Sequence, residues 1–227
     1  MPARITVDLD ALAENFRRLS SLHNGPSAAV VKADAYGLGL APVARKLWLQ
    51  GCQTFFVAFA QEGAALRKLI GDAQIYVLSG APASDVDILL EQHLTPVLNS
   101  LEQCQRWSST GQAAALHIDT GMSRLGLPPE TRPSDLPELE VELLLSHLAC
   151  ADEAEHPLTA RQIAQMQMIS SAYRAIYPSA RTSLCNSAGC MSGQHLSDAA
   201  PSLNRLGIGL YGCDPRDTAS KNTGVAA

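Results

Sequence analysis

Ala28-Ala29-Val30-Val31-Lys32-Ala33-Asp34-Ala35-Tyr36-Gly37-Leu38-Gly39 passes from an unbroken apolar run, through a lysine, to small residues and glycine. Apolar residues without polar alternation read as a strand covered on both faces, the signature of a parallel sheet. Gly37 and Gly39 then break the pattern. The reading is a strand over residues 28–32 with Lys32 at its C-terminal end. Partial desolvation at such a place favours the neutral amine, the form that makes an imine with an aldehyde. A lone lysine there more often lays its stem along apolar surface and keeps its charge in water.

Similar runs recur outward from this one, at residues 54–59, 75–78, 95–98, 114–118, 141–147, 181–185 and 204–210. Helical patterns fit between them at 41–50, 60–70, 84–92, 100–108 and 159–177, with Ser84 and Ser100 as N-caps. Strand–helix repetition leaves an open doubly wound sheet or a closed barrel. No Gly-x-Gly-x-x-Gly follows the first strand, and eight strands favour the barrel. An extra strand is expected over 4–7. Leu9, Leu12, Phe16 and Leu19 form one apolar stripe, so a helix over 9–22 should cover the side left bare after the eighth strand. The polar, patternless run over 213–227 is expected to be disordered.

In 227 residues, 46% are hydrophobic and 17% charged, enough apolar surface for a full core. The net charge of -5 argues against nucleic acid as a partner. No apolar run is long enough to span a bilayer, and the start of the chain does not read as a signal peptide. Cys52, Cys104, Cys150, Cys185, Cys190 and Cys213 are scattered, as free thiols of a cytoplasmic protein are. Cys185, Cys190 and His195 lie close in sequence, but their spacing matches no tetrahedral motif, and no metal is expected.

A barrel gathers its chemistry where strands end, on the C-terminal face. Lys32, Arg124, His147, Asn186, Ser187 and Arg205 all fall at or near such ends. The motifs there are longer than single residues. Val31-Lys32-Ala33-Asp34-Ala35-Tyr36-Gly37, His117-Ile118-Asp119-Thr120-Gly121-Met122-Ser123-Arg124-Leu125-Gly126, Ser146-His147-Leu148-Ala149 with Asp152-Glu153, Asn186-Ser187-Ala188, and Arg205-Leu206-Gly207-Ile208-Gly209-Leu210-Tyr211-Gly212 stand in order along the chain. With the opening Val7-Asp8-Leu9-Asp10-Ala11-Leu12 and Asn15, they closely resemble the N-terminal barrel domain of alanine racemases. The resemblance covers essentially the whole chain.

The resemblance implies a (β/α)8 barrel over 1–212 that binds pyridoxal 5'-phosphate and lacks the family's C-terminal β domain. It implies interconversion of L- and D-alanine, which supplies D-alanine to the cell wall, and a homodimer. Lys32 would carry the cofactor and act as a base on one face of the substrate. Tyr36, Ser187 and the N–H groups of Gly207 and Ile208 would hold the phosphate, donors that suit an anion. Arg205 would face the pyridine nitrogen, with His147 orienting it, and Asn186 would bind the cofactor with the phosphate end. A guanidinium keeps its protons, which leaves that nitrogen unprotonated and the ring a weaker electron sink. Arg124 would meet the ring phenolate or the substrate carboxylate, and Leu78 would pack on the ring.

Two departures stand out. Many relatives carry, at the position of His117, a lysine modified to an acid that props the substrate-binding arginine, and histidine cannot be modified in that way. The family's second domain supplies a tyrosine as the opposite-face base in the partner subunit and another to the phosphate. Tyr36, Tyr76, Tyr173, Tyr177 and Tyr211 all fall within the barrel and cannot take that role. The chain by itself is therefore expected to racemise alanine slowly or not at all. The alternatives are a one-domain carrier that binds and buffers the cofactor without turnover, and an amino-acid decarboxylase on the same barrel. The carrier's strand-end sequences and the decarboxylase's Gly-rich phosphate run are not found.

Overall fold

Mostly buried residues form eight short parallel strands: β1 (Ser27–Val30), β2 (Thr54–Val57), β3 (Gln74–Val77), β4 (Thr95–Leu98), β5 (Ala114–His117), β6 (Val141–Leu145), β7 (Arg181–Ser183) and β8 (Asn204–Leu206). The computed structural model describes residues 5–153, 155–194, 196 and 202–216. The strands follow the order β7-β6-β5-β4-β3-β2-β1-β8. β8 pairs with β1 through Ser27↔Asn204, Ala28↔Arg205 and Ala29↔Leu206. Leu203 N–H donates to Thr182 O at 2.8 Å and Arg205 N–H to Cys185 O at 3.0 Å, which joins the two ends of the sheet into a barrel.

Both strand faces are buried, which is why the sequence shows runs rather than alternation. Ala28, Val30, Phe56, Tyr76, Val97, Ala115, Leu143 and Leu145 form one cluster, the barrel interior. Phe56 and Tyr76 stack there with centroids 4.8 Å apart, opposite the small Ala28 and Ala115. Ala29, Val31, Phe55, Val57, Ile75, Val77, Leu98 and Leu116 belong to the larger cluster under the helices. Full burial of each large side chain contributes about 1.5–3 kcal/mol.

The helices are α1 (Leu9–Ser20), α2 (Lys32–Tyr36), α3 (Leu40–Leu49), α4 (Ala60–Arg67), α5 (Val86–Glu91), α6 (Leu101–Ser108), α7 (Pro157–Arg174) and α8 (Ser187–Met191). α1 closes the side that β8 leaves bare. It buries Leu12, Ala13, Phe16 and Leu19, and its Asn15 amide donates to Leu210 O at 3.2 Å. Asp8 caps it, accepting from Asp10 and Ala11 N–H, a cap worth about 1 kcal/mol.

Several elements differ from their sequence reading. The strands stop one to four residues short of most predicted ends, although Val31, Ile118, Ser146 and Leu184 just beyond them remain buried. Residues 208–211 form a 3-10 helix (Ile208–Tyr211) rather than the end of β8. No strand forms over 5–7, and residue 4 lies outside the described residues. Ser84 sits inside a 3-10 turn (Ala83–Asp85) and bonds the Asp85 carboxylate instead of capping α5. Ser100 does cap α6, accepting from Gln103 N–H at 3.2 Å. No α-helix follows β5 among the described residues; a loop with a 3-10 turn (Pro133–Asp135) takes its place. Past Gly212, Arg216 donates to Met191 O at 2.9 Å, while residues 217–227 lie outside the described residues, as does His195.

α2 departs furthest from expectation. Ala33, Asp34, Ala35 and Tyr36 all have φ of 53–56°, so this turn is left-handed. A non-glycine residue there costs roughly 1–2 kcal/mol, so the turn carries on the order of 4–8 kcal/mol that its surroundings must offset. Ala35 N–H to Val31 O, Gly37 N–H to Ala33 O and Gly39 N–H to Asp34 O, at 2.9–3.0 Å, brace it from within.

Candidate active site

The barrel's C-terminal mouth opens into a cavity of about 330 Å³. Lys32, Tyr36, Leu78, Arg124, His147, Asn186, Ser187, Arg205, Gly207 and Ile208, ten residues that the sequence reading picked from six separate segments, all line it. His117, Met122, Leu125, Phe56, Val30 and Asp152 line it as well. Three cationic side chains against one carboxylate suit it to an anion although the whole chain is acidic.

Lys32 does not end a strand. β1 stops at Val30, and Lys32, half-buried, begins the left-handed turn, which brings Tyr36 back over the mouth. The Tyr36 ring stacks on Tyr211 at 4.6 Å, and the Tyr211 hydroxyl donates to Val30 O at 2.9 Å. Burial raises the Tyr36 pKa, so its hydroxyl stays protonated and available as a donor.

Facing Tyr36 is the start of α8 and the turn after β8. Ser187 Oγ accepts from Gly207 N–H at 2.9 Å and from Gly209 N–H at 3.2 Å. With both lone pairs engaged, its own proton is left to donate. The Gly207 N–H is thus already engaged with Ser187. Ile208 opens the 3-10 helix, so its N–H is one that no helical carbonyl satisfies. Gly207 contributes chiefly by lacking a side chain, since a Cβ would stand 2.7 Å from the Tyr36 hydroxyl oxygen. Tyr36 Oη–H, Ser187 Oγ–H and Ile208 N–H are together a donor set chemically matched to a phosphate.

Arg205 is buried, with its guanidinium 5.9 Å from the Phe56 ring centre. It donates to Ser183 Oγ, to Ser146 O, and at 3.3 Å to Leu184 O and His147 Nδ1. Burial lowers its pKa to about 10, so it remains a cation at neutral pH. A guanidinium only donates, so His147 Nδ1 must be the acceptor. Burial first, and then the charges of Arg205 and Arg124, hold the His147 pKa well below its usual value. The ring is therefore neutral, with its proton on Nε2; the nearby Asn186 Nδ2 donates to Leu148 O at 3.2 Å rather than to the ring.

Arg124 rides on the β5–β6 loop. Asp119 pins this loop by accepting from Gly121 N–H at 2.9 Å and Ser123 N–H at 3.0 Å, and Leu127 N–H returns to His117 O at 2.7 Å. The Arg124 side chain is exposed at the mouth. Beneath it, His117 is buried. Asn99 donates to Leu78 O and Val97 O, which turns its Oδ1 toward His117 Nδ1 at 2.9 Å. His117 therefore carries its proton on Nδ1, and its buried Nε2 lacks a partner among the described residues. Burial, then Arg205, lowers its pKa to about 4.

The sequence reading missed Asn99 and Ser183. Asn99 directly follows β4, and the strand-end rule that found Lys32 would have found it. Ser183 is ordinary in sequence; only the approach of β8 to β7 gives it Arg205 as a partner. Next in sequence to the cavity-lining Ala149 and Asp152, Cys150, Glu153 and His156 each place one possible ligand atom within 4.8 Å of the others on a partly exposed loop.

Fold and site define a (β/α)8 barrel with a lysine, a buried arginine and a corner of hydrogen-bond donors gathered at its C-terminal mouth. The alanine racemase N-terminal domain family matches residues 7–215, and the chain belongs to that family. It is 42% identical over 225 residues to an alanine racemase of Methylobacterium nodulans, covering 94% of this chain and 59% of that protein. It is 43% identical over 230 residues to one of Rhodospirillum rubrum, again covering 94% and 59%. The structure of an alanine racemase from Bartonella henselae with covalently bound pyridoxal phosphate superposes with a TM-score of 0.84 at 30% identity, covering 97% of this chain and 63% of that one. The chain thus spans about 60% of the length of these relatives.

Proposed function

We propose that this chain is the cofactor-binding barrel of an alanine racemase and holds pyridoxal 5'-phosphate on Lys32. The observation that carries the reading is the joint placement of a half-buried lysine and a three-donor anion corner on one cavity wall, with Arg205 in the floor. Bound pyridoxal phosphate supplies an electron sink that acidifies the Cα–H of an attached amino acid. Tyr36 Oη, Ser187 Oγ and Ile208 N–H hold the phosphate. Arg205, kept by Ser183, Ser146 and His147, presents a permanent cation to the pyridine nitrogen. Leu78 packs on the ring. Arg124 meets an anionic oxygen of the cofactor or the substrate carboxylate, for which its fork is matched. The Lys32 amine moves a proton at Cα on its own face.

Racemisation also needs a group on the opposite face. In this cavity His147 is tied to Arg205, and burial lowers the His117 pKa to about 4, too low for an effective base at neutral pH, so a second base is expected from a domain outside these residues, in a partner subunit. Homodimerisation follows from that reading. Cytoplasmic localisation is supported by six free thiols, and among the described residues no helix is long and apolar enough to cross a membrane. The test is to incubate the 227-residue chain with pyridoxal phosphate and L-alanine in deuterated water. Deuterium should enter at Cα, with D-alanine appearing about 10²–10⁴-fold more slowly than from a two-domain relative. Absence of Cα exchange, as in a passive carrier, or release of carbon dioxide would contradict the reading.

A further inference from the structure

The left-handed turn that carries Lys32 is strained, and most of its hydrogen bonds are local. Ala35 N–H to Val31 O, Gly37 N–H to Ala33 O, Gly39 N–H to Asp34 O and Leu40 N–H to Asp34 Oδ1 all lie within residues 31–40. Such bonds keep the turn's shape but travel with it if it swings. Two ties cross to neighbouring elements on either side of Lys32: Val31 N–H donates to Phe56 O at 2.9 Å before it, and Ala33 N–H donates to Glu62 Oε1 at 2.7 Å directly after it. The other carboxylate oxygen accepts from Ala58 N–H at 2.7 Å and Phe59 N–H at 3.3 Å, at the start of α4. One carboxylate thus bridges the loop after β1 to the loop after β2. Its two oxygens are held by different segments, so neither can shift without breaking a bond to the other.

We propose that Glu62 is a positioning residue for Lys32: its carboxylate latches the left-handed turn to the start of α4 and fixes where the amine is presented. A carboxylate accepts without donating, and its charge strengthens all three bonds. The reactive lysine is adjacent in sequence to the latched N–H, so its Cα can move only as far as that bond allows. Glu62 also caps its own helix, but Oε2 alone serves that purpose; the orientation of Oε1 toward Ala33 is what the cap does not require. The functional part of the proposal rests on Lys32 carrying the cofactor, whereas the latch itself is a property of the chain without ligand.

The test uses Glu62→Ala and Glu62→Gln, each with and without Ala33→Gly. Glycine adopts positive φ at no steric cost, so it relaxes the turn and lessens its need of the latch, while doing nothing for a helix cap. In the ligand-free chain, amide exchange over residues 33–36 should rise about tenfold in Glu62→Ala. The pyridoxal phosphate concentration that gives half-maximal borohydride trapping on Lys32 should rise by about the same factor, and Ala33→Gly should recover most of that loss. If Glu62→Ala does not fold, Glu62→Gln carries the test, with a smaller change in the same direction. Unchanged exchange over 33–36 overturns the latch. Faster exchange with no recovery by Ala33→Gly also overturns it, since a cap alone gives that result. If the unsubstituted chain traps no pyridoxal phosphate, the cofactor reading fails, and the exchange data still decide the latch.

Discussion

Gly207→Ala puts one methyl group into the anion corner. The added Cβ would stand 2.7 Å from the Tyr36 hydroxyl oxygen and 3.5 Å from its ring carbon Cζ, with Val30 Cβ at 3.7 Å. Only the first of these is a clash. Tyr36 is stacked on Tyr211 and cannot simply rotate aside, so its hydroxyl must leave the corner. Losing one hydrogen bond to a charged group costs about 1.5–3 kcal/mol, which is roughly 10–150-fold in pyridoxal phosphate affinity. The assay is a cofactor titration read by absorbance, repeated in Tyr36→Phe. Without the hydroxyl the remaining contacts are ordinary, so the alanine should cost far less in the phenylalanine background, with a coupling of about 0.5–3 kcal/mol. Equal cofactor affinity of Gly207→Ala and the unsubstituted chain would refute the assignment of this corner. Additive effects of the two substitutions would refute the steric reasoning.

Arg205→Lys keeps the charge but not the fork that reaches Ser183, Ser146 and His147 together; urea unfolding should show a loss of about 1–3 kcal/mol from the acceptors left unsatisfied. His117, with its pKa lowered to about 4 by burial, takes up a proton in the unfolded chain before it does in the folded one. Its contribution to stability is therefore complete above pH 6.5 and lost as the pH falls toward 4, on the order of 3 kcal/mol in all. Unfolding midpoints measured between pH 7 and pH 4.5 should fall less steeply in His117→Leu than in the unsubstituted chain.

The barrel was legible because most strands are buried on both faces and read as apolar runs; β7 (Arg181–Ser183) and β8 (Asn204–Leu206) are largely polar, and only the apolar residues after them marked their place. The α1 stripe of Leu12, Phe16 and Leu19 likewise foretold the helix that closes the last side. Strand ends were less legible, because an apolar residue such as Val31 reads the same in a strand and just beyond it. The left-handed turn left no mark in composition. Ala33 and Ala35 are good formers of right-handed helix, and their positive φ rests on bonds within residues 31–40 together with the tie to Glu62. The ten residues that motif resemblance picked out all line one cavity, but resemblance did not reveal their bonding. That Ser187 engages the Gly207 N–H, and that Asn99 sets the His117 tautomer, follows from distances between strands far apart in sequence.

The most direct measurement of the central claim is to mix the purified chain with pyridoxal phosphate, reduce with borohydride, digest and locate the label by mass spectrometry. One phosphopyridoxyl group per chain is expected, on Lys32, with Lys46 and Lys68 unlabelled at near-stoichiometric cofactor and no label in Lys32→Ala. Label spread over surface lysines, or an undiminished yield in Lys32→Ala, would contradict the account.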